Sequence, residues 1–464
     1  MIPTSTLSMT QRVHEMLKQH LFPGDGKEAA AVMVCTRVPG NRQRLLLKDV
    51  IPVPYMACSR RDENSITWPS EFIEQAIDLA LQKGLALVLI HSHPGGTPDF
   101  SDVDNRSDQE IIPCLFAACG DVHGTAVMLP NGFIFGRLYT SEMYVSEIDL
   151  VSIIGNDLKF YWGDDKTRSA KRPVAFTSEM TSDLSRITAG VIGVSGTGSI
   201  VAEQICRLGF GRVILIEFDK VEHKNLNRIL NTIKADADKS LAKVSVFSDR
   251  ANQYRDEPYV ISVDANVLSR EAVIALAESD VLFSCVDKLR PRSVADRLSQ
   301  SFLLPLLDVG VGISTRSHEN GKLAIDEVAG RIDYVHPDGS SLFDRKVYTS
   351  ATLQAEALLE SDPQAHAEQV NHGYIKGLPE QAPAVITLNM RAASACVMEF
   401  IARAYPFRQE SNDQYARTRF MLAEAIEEIT SESEFSKRPS PHLALGDDEP
   451  LLGFPSLSNE DDNK

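Results

Sequence analysis

A strand that runs into a glycine-rich turn and then a helix constrains the fold of this chain more than any other stretch. Apolar residues at 189–194 predict the strand, "GVSGTGS" supplies the turn, and a helical pattern at 199–208 ends at Gly209. Further strands follow in "RVILIEFD", "DVLFSCVD" and "PLLDVG". Alternating strands and helices indicate an α/β fold with a mostly parallel sheet, in which a ligand lies at the carboxyl ends of the strands.

The glycines of this turn indicate a phosphate-binding segment. Gly193, Gly196 and Gly198 stand between the strand and the helix, where glycine lets backbone N–H groups approach a phosphate at the helix N-terminus. Ser195 occupies the middle glycine position of the dinucleotide fingerprint G-x-G-x-x-G. A dehydrogenase is therefore not favoured, and we expect a nucleotide site of another type.

Charged residues after the next strands fit a nucleoside triphosphate. Glu217 and Asp219 end the strand "RVILIEFD", near the place where a ribose is held in such folds. Arg228 offers a planar cation and Lys243 a point charge, and together they can clamp a triphosphate. Asp287, at the end of "DVLFSCVD", can hold magnesium, which prefers carboxylate and phosphate oxygens.

A second constellation lies earlier in the chain, in "IHSHPGGTPDFSDVD" at 90–104. His91 and His93 occupy alternate positions of an extended segment, so both rings point to the same side of the strand end. Asp104 can supply a third, oxygen ligand, because the intervening segment is rich enough in turn residues to fold back. Three protein ligands would leave the fourth position of a zinc ion for water.

Two further residues would complete a hydrolytic site. A metal-bound water has a lowered pKa, and a nearby carboxylate is needed to take its proton and pass it to the leaving amine. Glu28 is the candidate for that role. Ser101 would present its hydroxyl to the developing oxyanion. These residues predict a hydrolase of amide bonds.

This pattern resembles that of the JAMM metalloproteases, which carry the JAB/MPN domain and remove ubiquitin-like proteins. The shared pattern is H-x-H-x7-S-x-x-D with an upstream glutamate, and the matching residues are His91, His93, Ser101, Asp104 and Glu28. The resemblance implies an α-β-α domain of the JAB/MPN type that binds zinc through the two histidines and Asp104.

The glycine turn and the residues after it resemble the ubiquitin-activating family of adenylating enzymes, which includes the ThiF and MoeB proteins. The match runs from about residue 172 to 405. By this resemblance the turn and the acid hold ATP, Asn225 and Arg228 correspond to the family's N-L-x-R motif, and Asp287 binds the metal. Family members use an arginine early in the domain to reach the phosphates, and Arg172 is the candidate here. The resemblance also implies a Rossmann-like domain that forms a homodimer.

The chain departs from that family in its cysteines. The segment "PDGSSLFD" at 337–344 stands where many relatives have a cysteine pair, so Ser341 and Asp344 cannot form that zinc site. Between Cys285 and Cys396 there is no cysteine, although ubiquitin-activating enzymes usually place their thioester cysteine in that interval. Cys396 falls in an apolar helix, a poor place for a thiolate. We therefore expect adenylation without a thioester on this chain.

Length and composition set the domain plan. A chain of 464 residues exceeds one hydrophobic core, and the polar, basic stretch at 157–185 reads as a linker. We predict a JAMM domain at 1–160 and an adenylating domain at 161–408. Residues 409–464 are predicted to form one helix, in "ARTRFMLAEAIEEI", and then a disordered tail rich in Ser, Pro, Asp and Glu.

Charge and hydropathy exclude two classes of partner. A net charge of −17 and a pI near 5.2 argue against nucleic acid, because its binders usually carry a basic face. No run of 18 apolar residues is present, and the first residues lack the order of a signal peptide, so no membrane partner is expected. These features are typical of a cytoplasmic enzyme.

Both constellations indicate the same class of substrate. We expect a bifunctional enzyme that cuts the peptide or isopeptide bond after a ubiquitin-like protein and adenylates the C-terminal carboxylate of such a protein. The pairing resembles fused JAB-ThiF proteins of bacterial ubiquitin-like conjugation operons, which implies a separate conjugating enzyme as partner. Two alternatives remain open: processing and activation of a sulfur-carrier protein for thiolation, and a non-catalytic scaffold that binds ubiquitin-like folds.

Overall fold

The chain forms two compact units in a computed structural model that describes residues 1–81, 84–165, 172–317, 323–371 and 385–459. The first unit contains Pro3–Pro173, Gln300–Leu303 and the residues from His442 onward. The second contains Met1–Ile2, Val174–Ser299 and Leu304–Pro441. The units part between Pro173 and Val174, later than the boundary predicted at residue 160.

The first unit is built from eleven strands and three helices among its described residues. In chain order they are β1 (Ser5–Thr10), α1 (Gln11–Leu21), β2 (Ala30–Arg37), β3 (Gln43–Pro52), β4 (Arg60–Arg61), β5 (Ile66–Thr67), α2 (Glu71–Leu81), β6 (Ala86–Ser92), α3 (Asp102–Ala118), β7 (Val122–Met128), β8 (Ile134–Thr140), β9 (Val145–Glu147), β10 (Leu150–Ile154) and β11 (Leu158–Trp162).

A nine-stranded sheet lies between helices on its two faces in this unit. Its strand order is β11-β10-β1-β3-β2-β6-β7-β8-β9. Successive residues of β2 point to opposite faces: Ala31 and Met33 pack in one core with Leu17 of α1, whereas Val32 packs in another with Ala76 of α2. Helix α3 joins the second core. This is the α-β-α arrangement that the sequence predicts.

The second unit alternates strands with helices before it ends in an antiparallel region. Its elements are α4 (Ser178–Leu184), β12 (Thr188–Ile192), α5 (Gly196–Leu208), β13 (Arg212–Ile216), α6 (Lys234–Asp238), α7 (Lys243–Ala251), β14 (Val260–Val263), α8 (Arg270–Ala277), β15 (Val281–Ser284), α9 (Leu289–Ser301), β16 (Leu306–Ser317), β17 (Leu323–Val335), α10 (Ser350–Ser361), α11 (Pro363–Asn371), α12 (Ile386–Ala404), β18 (Arg417–Met421) and β19 (Ile426–Thr430).

The eight strands of the second unit form one sheet in the order β14-β13-β12-β15-β16-β17-β18-β19. The pairs from β14 to β16 are parallel and those from β16 to β19 are antiparallel. Helix α12 packs against α5 and β16. The Rossmann-like α/β fold is confirmed.

The segment after residue 408 differs from the predicted helix and tail. Strands β18 and β19 pair with each other, and β18 also pairs with β17, so the helix predicted over "ARTRFMLAEAIEEI" is wrong. Phe420 in β18 is buried. The sheet edge offers this segment backbone partners and a packing surface, and such tertiary contacts override weak helix propensity.

The last described residues correct the prediction of a disordered tail. Leu451, Leu452 and Leu457 are buried. The Thr36 hydroxyl donates a hydrogen bond of 3.0 Å to the Ala444 carbonyl, both within the first unit. The prediction from composition was wrong because a few leucines among the acidic residues bury enough apolar surface to hold this segment in an ordered conformation. Residues 460–464 lie outside the described range.

None of the described helices combines the length and the apolar character that a membrane crossing needs.

Candidate metal centre and nucleotide site

Three side chains predicted as zinc ligands converge at the end of β6. His91 belongs to β6, His93 follows it, and Asp104 lies in the first turn of α3. The two Nε2 atoms are 3.1 Å apart, and Asp104 Oδ1 is 3.2 Å from His91 Nε2. The ligand atoms of all three residues lie within 4.8 Å of one another. Across the described residues, no other His, Cys, Asp or Glu side chains form such a group.

The residues around these ligands orient them for a cation. His93 Nδ1 lies 3.0 Å from the Thr97 carbonyl; a carbonyl only accepts, so Nδ1 carries the proton and Nε2 of a neutral ring turns a lone pair toward the cluster. Such outer contacts are typical of metal-binding histidines. The donor set of two imidazoles and one carboxylate therefore fits zinc.

Electrostatics inside the cluster favour a bound positive charge. Burial opposes ionisation of Asp104, but hydrogen bonds from His91 and His93 outweigh it and hold the pKa of that carboxyl well below its usual range. Burial would lower the pKa of His93, yet its hydrogen bonds to Asp104 and the Thr97 carbonyl raise it.

Glu28 lies beside this cluster because β2 pairs with β6. Ala30, the first residue of β2, is the register partner of His91, and Glu28 lies two residues before it. Its backbone is held on both sides: the Glu28 N–H donates to the Asp62 carbonyl at 2.9 Å, and Arg61 Nε donates to the Glu28 carbonyl at 2.7 Å. Burial raises the pKa of the Glu28 carboxyl, although the nearby histidines oppose the shift. A raised pKa suits a proton carrier.

Ser101 caps helix α3 and thereby shapes the metal centre. Its Oγ accepts the Asp104 N–H at 3.2 Å, and the Ser101 N–H donates to Asp104 Oδ2 at 2.7 Å. This reciprocal capping box fixes the aspartate relative to the serine. Ser101 is exposed, and its hydroxyl keeps a hydrogen that can be donated to a substrate oxygen.

In the second unit, the glycine turn has a backbone that only glycines allow. Gly193 adopts a φ of +86°, a left-handed conformation that side chains disfavour. A Cβ on Gly198 would collide with the Gly193 carbonyl. Helix α5 begins immediately after Ser195, so its first N–H groups point into the space above the turn.

The structure ties Glu217 to this turn through the backbone. Its carboxylate accepts hydrogen bonds from the N–H groups of Val194, Phe218 and Asp219 at 3.0–3.2 Å. Burial raises the pKa of Glu217, opposed by Lys243 and by these donors. This side chain therefore braces the turn against the end of β13, and the predicted ribose contact stays a prediction.

Two further predicted residues, Lys243 and Arg228, lie near the turn, and Asn225 supports the loop of the second. Lys243 is buried at the start of α7, and its Nζ donates to Asp219 Oδ2 at 2.8 Å. A Cβ built on Gly196 would lie 3.3 Å from Arg228 Cδ, which places the Arg228 side chain beside the N-terminus of α5. Asn225 fixes the loop that carries Arg228, because its Oδ1 accepts the Glu222 N–H at 3.1 Å.

Asp287 and Arg172 differ in how the structure places them. Asp287 is exposed and follows β15, which pairs in parallel with β12, so it leaves the sheet at the same edge as the glycine turn. Arg172 belongs to the first unit, where its Nη2 lies 3.2 Å from Asp157 Oδ2. The roles of both residues at phosphates and magnesium stay predictions.

Two cysteines of the second unit lie in surroundings that disfavour a thiolate. Burial raises the pKa of Cys285 and that of Cys396. Both thiols therefore remain protonated at neutral pH, which is unfavourable for a nucleophile.

Sequence reasoning missed the residues that orient the site from outside. Thr97 acts through a carbonyl and Arg61 through a contact to the Glu28 backbone, so neither carries a side-chain signature in the sequence. Asn389 of α12 lies against the position of Gly196. Its approach depends on how α12 packs, which no local pattern reveals.

Curated relatives match about a third of this chain. The chain is 25% identical over 168 residues to ubiquitin-like modifier-activating enzyme 5 of Aedes aegypti, covering 34% of this chain and 38% of that protein. It is 27% identical over 165 residues to the same enzyme of Drosophila persimilis, covering 34% and 40%. The chain thus spans about two fifths of the length of these curated relatives.

Solved structures give weaker likenesses. E. coli MccB with MccA-N7isoASN aligns with a TM-score of 0.43 at 14% identity, covering 57% of this chain and 69% of that one. PaaA aligns with a TM-score of 0.38 at 15% identity, covering 55% and 67%.

Two family models match separate regions. Residues 10–130 match the prokaryotic homologs of the JAB domain, the region that holds the histidine and aspartate cluster. Residues 168–414, more than half of the chain, match the ThiF family. The chain therefore belongs to the ThiF family and carries a domain of the JAB type ahead of its ThiF region.

Proposed function

We propose that this protein is a bifunctional enzyme acting on a ubiquitin-like protein. Its first unit hydrolyses the peptide or isopeptide bond that follows the C-terminus of that protein, and its second unit adenylates the C-terminal carboxylate with ATP. The convergence of His91, His93 and Asp104 within 4.8 Å carries the hydrolytic half of the proposal. The ThiF match over residues 168–414 supports the other half.

In the hydrolytic half, His91, His93 and Asp104 would hold zinc, which would supply a Lewis acid and lower the pKa of a water toward neutrality. Glu28 takes up the proton at its carboxylate and passes it to the leaving amine, a role that its raised pKa suits. The Ser101 hydroxyl donates a hydrogen bond to the carbonyl oxygen as negative charge develops there.

In the adenylating half, the first N–H groups of α5 and the cations of Arg228 and Lys243 bind the phosphates of ATP. Asp287 would hold magnesium, which would neutralise phosphate charge. The modifier's carboxylate attacks the α-phosphorus and pyrophosphate leaves. Burial raises the pKa of Cys285 and that of Cys396, which disfavours either thiol as the acceptor of the adenylate. In this proposal the adenylate passes to a separate conjugating enzyme.

The relatives and the first unit both support a ubiquitin-like protein as the proposed partner. The relatives with 25–27% identity are named ubiquitin-like modifier-activating enzymes, and JAB domains suit a substrate of the same class. A homodimer formed through the second unit completes the proposal.

The test uses the full chain and two substrates: a ubiquitin-like protein encoded beside this gene, and the same protein extended by a short C-terminal peptide. We expect zinc-dependent release of the peptide, which a chelator stops and added zinc restores. We expect pyrophosphate exchange with ATP only when the C-terminal glycine is free. No peptide release by zinc-loaded protein would refute the hydrolytic half, and no exchange with any such modifier would refute the adenylating half.

A further inference from the structure

A buried polar network fastens helix α3 to the sheet of the first unit. Asp108 Oδ2 accepts hydrogen bonds from the Thr125 hydroxyl of β7 at 2.7 Å and from the Tyr139 hydroxyl of β8 at 2.7 Å. Arg137 of β8 adds two more, from Nε at 2.9 Å and from Nη2 at 2.6 Å. Asp108, Thr125 and Tyr139 are each less than a tenth exposed.

Arg137 differs from the other residues of this network because it also contacts the residues on either side of the turn from Ser101 to Asp104. Its guanidinium lies over the Phe100 ring, 3.9 Å from the centroid, and its Nη1 donates to Asn105 Oδ1 at 2.7 Å. Phe100 precedes the cap Ser101, and Asn105 follows the metal ligand Asp104. One planar cation therefore spans the turn that delivers both functional side chains.

The histidines of the cluster lie at the end of β6, in the same sheet as β7 and β8. His91 pairs in register with Val127 of β7, and β7 pairs with β8, the strand that carries Arg137. The separation between the imidazoles and Asp104 thus depends on how α3 is fixed to β7 and β8. A metal site binds tightly when its ligands are held at the right separation before the ion arrives.

We propose that Arg137 is a positioning residue for the metal centre, and that it sets zinc affinity by fixing the Phe100–Asn105 turn against β8. The inference rests on the proposed function of the first unit. A lysine keeps the charge near Asp108 but loses the planar fork that reaches Asp108, Asn105 and the Phe100 ring together.

The experiment compares zinc affinity and thermal stability in the full-length protein, with Zn²⁺ alone as the probe and a chromophoric chelator as competitor. We expect Arg137→Lys to weaken zinc binding by about tenfold, the lower end of outer-contact effects. Tyr139→Phe is the matched control, since it removes one hydrogen bond to Asp108 and leaves the Phe100 and Asn105 contacts. It should lower the melting temperature but not the zinc affinity.

A second variant tests the same contact in case Arg137→Lys does not fold. Phe100→Leu removes the ring under the guanidinium and keeps the hydrogen bonds of Asp108, and it too should weaken zinc binding. Wild-type affinity in Arg137→Lys or Phe100→Leu, or an equal loss in Tyr139→Phe, would overturn the positioning role while the metal centre stands. Wild-type protein that binds no zinc would instead refute the metal centre itself, and this inference with it.

Discussion

His91 Nε2 lies 3.2 Å from Asp104 Oδ1, although the first atom belongs to a strand and the second to a helix. Pairing of β6 with β2 and β7 fixes the histidine. The capping box with Ser101 fixes the aspartate. The tertiary fold thus brings two distant polar groups to ligand spacing, and the first prediction depends on this contact.

Removing either ligand should abolish hydrolysis and leave adenylation intact. For His91→Ala and Asp104→Ala we expect loss of zinc binding and of cleavage of the extended modifier, because two ligands hold the ion poorly. ATP–pyrophosphate exchange should stay at the wild-type rate. Asp102→Ala is the matched control, since Asp102 shares the first turn of α3 but is exposed. Loss of both activities in His91→Ala would show that the units do not work separately.

Asp287→Ala should have the converse effect. We expect ATP–pyrophosphate exchange to fall by at least a hundredfold, about 2.7 kcal/mol of transition-state stabilisation, while cleavage of the extended modifier is unchanged. Asp264 offers a comparison, because it is exposed and follows β14 at the outer edge of the same sheet. Equal losses in Asp264→Ala and Asp287→Ala would argue against a magnesium ligand at 287.

Glu217→Gln should loosen the glycine turn. The amide keeps one acceptor oxygen and loses part of the three backbone contacts, so we expect the free energy of unfolding of the second unit to fall by about 1–3 kcal/mol. KM for ATP should rise more than kcat falls, because the turn binds substrate. Denaturant unfolding and exchange kinetics measure both, with the exposed Glu222→Gln as control. An unchanged free energy of unfolding in Glu217→Gln would mean that the Glu217 carboxylate does not stabilise the glycine turn.

His336 should make the second unit sensitive to acid. Burial lowers the pKa of His336 from 6.5 to about 3, helped by the charges of Arg403 and Arg345. The native state therefore binds fewer protons than the unfolded state between these pH values. Its stability is fully present above pH 6.5 and falls with acid until about pH 3, by at most about 1.4 kcal/mol per pH unit.

His336→Phe should remove that dependence. Neither ring nitrogen of His336 has a hydrogen-bond partner among the described residues, so an apolar ring in its place loses no hydrogen bond. We expect the variant to be more stable than wild type near pH 4–5 in acid-unfolding curves. His223→Phe, at a side chain that is 60% exposed, should leave the curve unchanged. A wild-type slope in His336→Phe would assign the acid sensitivity to other groups.

Leu451→Ala should destabilise the first unit, although the residue lies far along the chain. Leu451 is fully buried, and truncation of a buried leucine costs about 2–5 kcal/mol. Thermal unfolding measures the loss, and Leu81→Ala, at an exposed position of α2, should change little. Equal stability of the two variants would mean that the tail does not contribute to this core.

Much of the candidate site was predictable because its chemistry is local. The spacing of His91, His93, Ser101 and Asp104 identifies the ligands, and the glycine turn identifies the nucleotide end of the second sheet. In contrast, the segment at 417–430 carries a helix-like pattern but pairs with β17. Hydrogen bonds to a distant strand are absent from any local window, so pattern reasoning assigned the wrong element.

The sequence by itself determined the residue types, their short-range spacing and the alternation of strands and helices around the glycine turn, since these depend on neighbours along the chain. Tertiary structure alone decided that Arg137 contacts both ends of the Phe100–Asn105 turn. It also decided that the Glu217 carboxylate accepts hydrogen bonds from the backbone and that the leucines of the last described segment are buried. The physical reason is that hydrogen bonds and apolar burial act between groups close in space, whatever their separation in sequence.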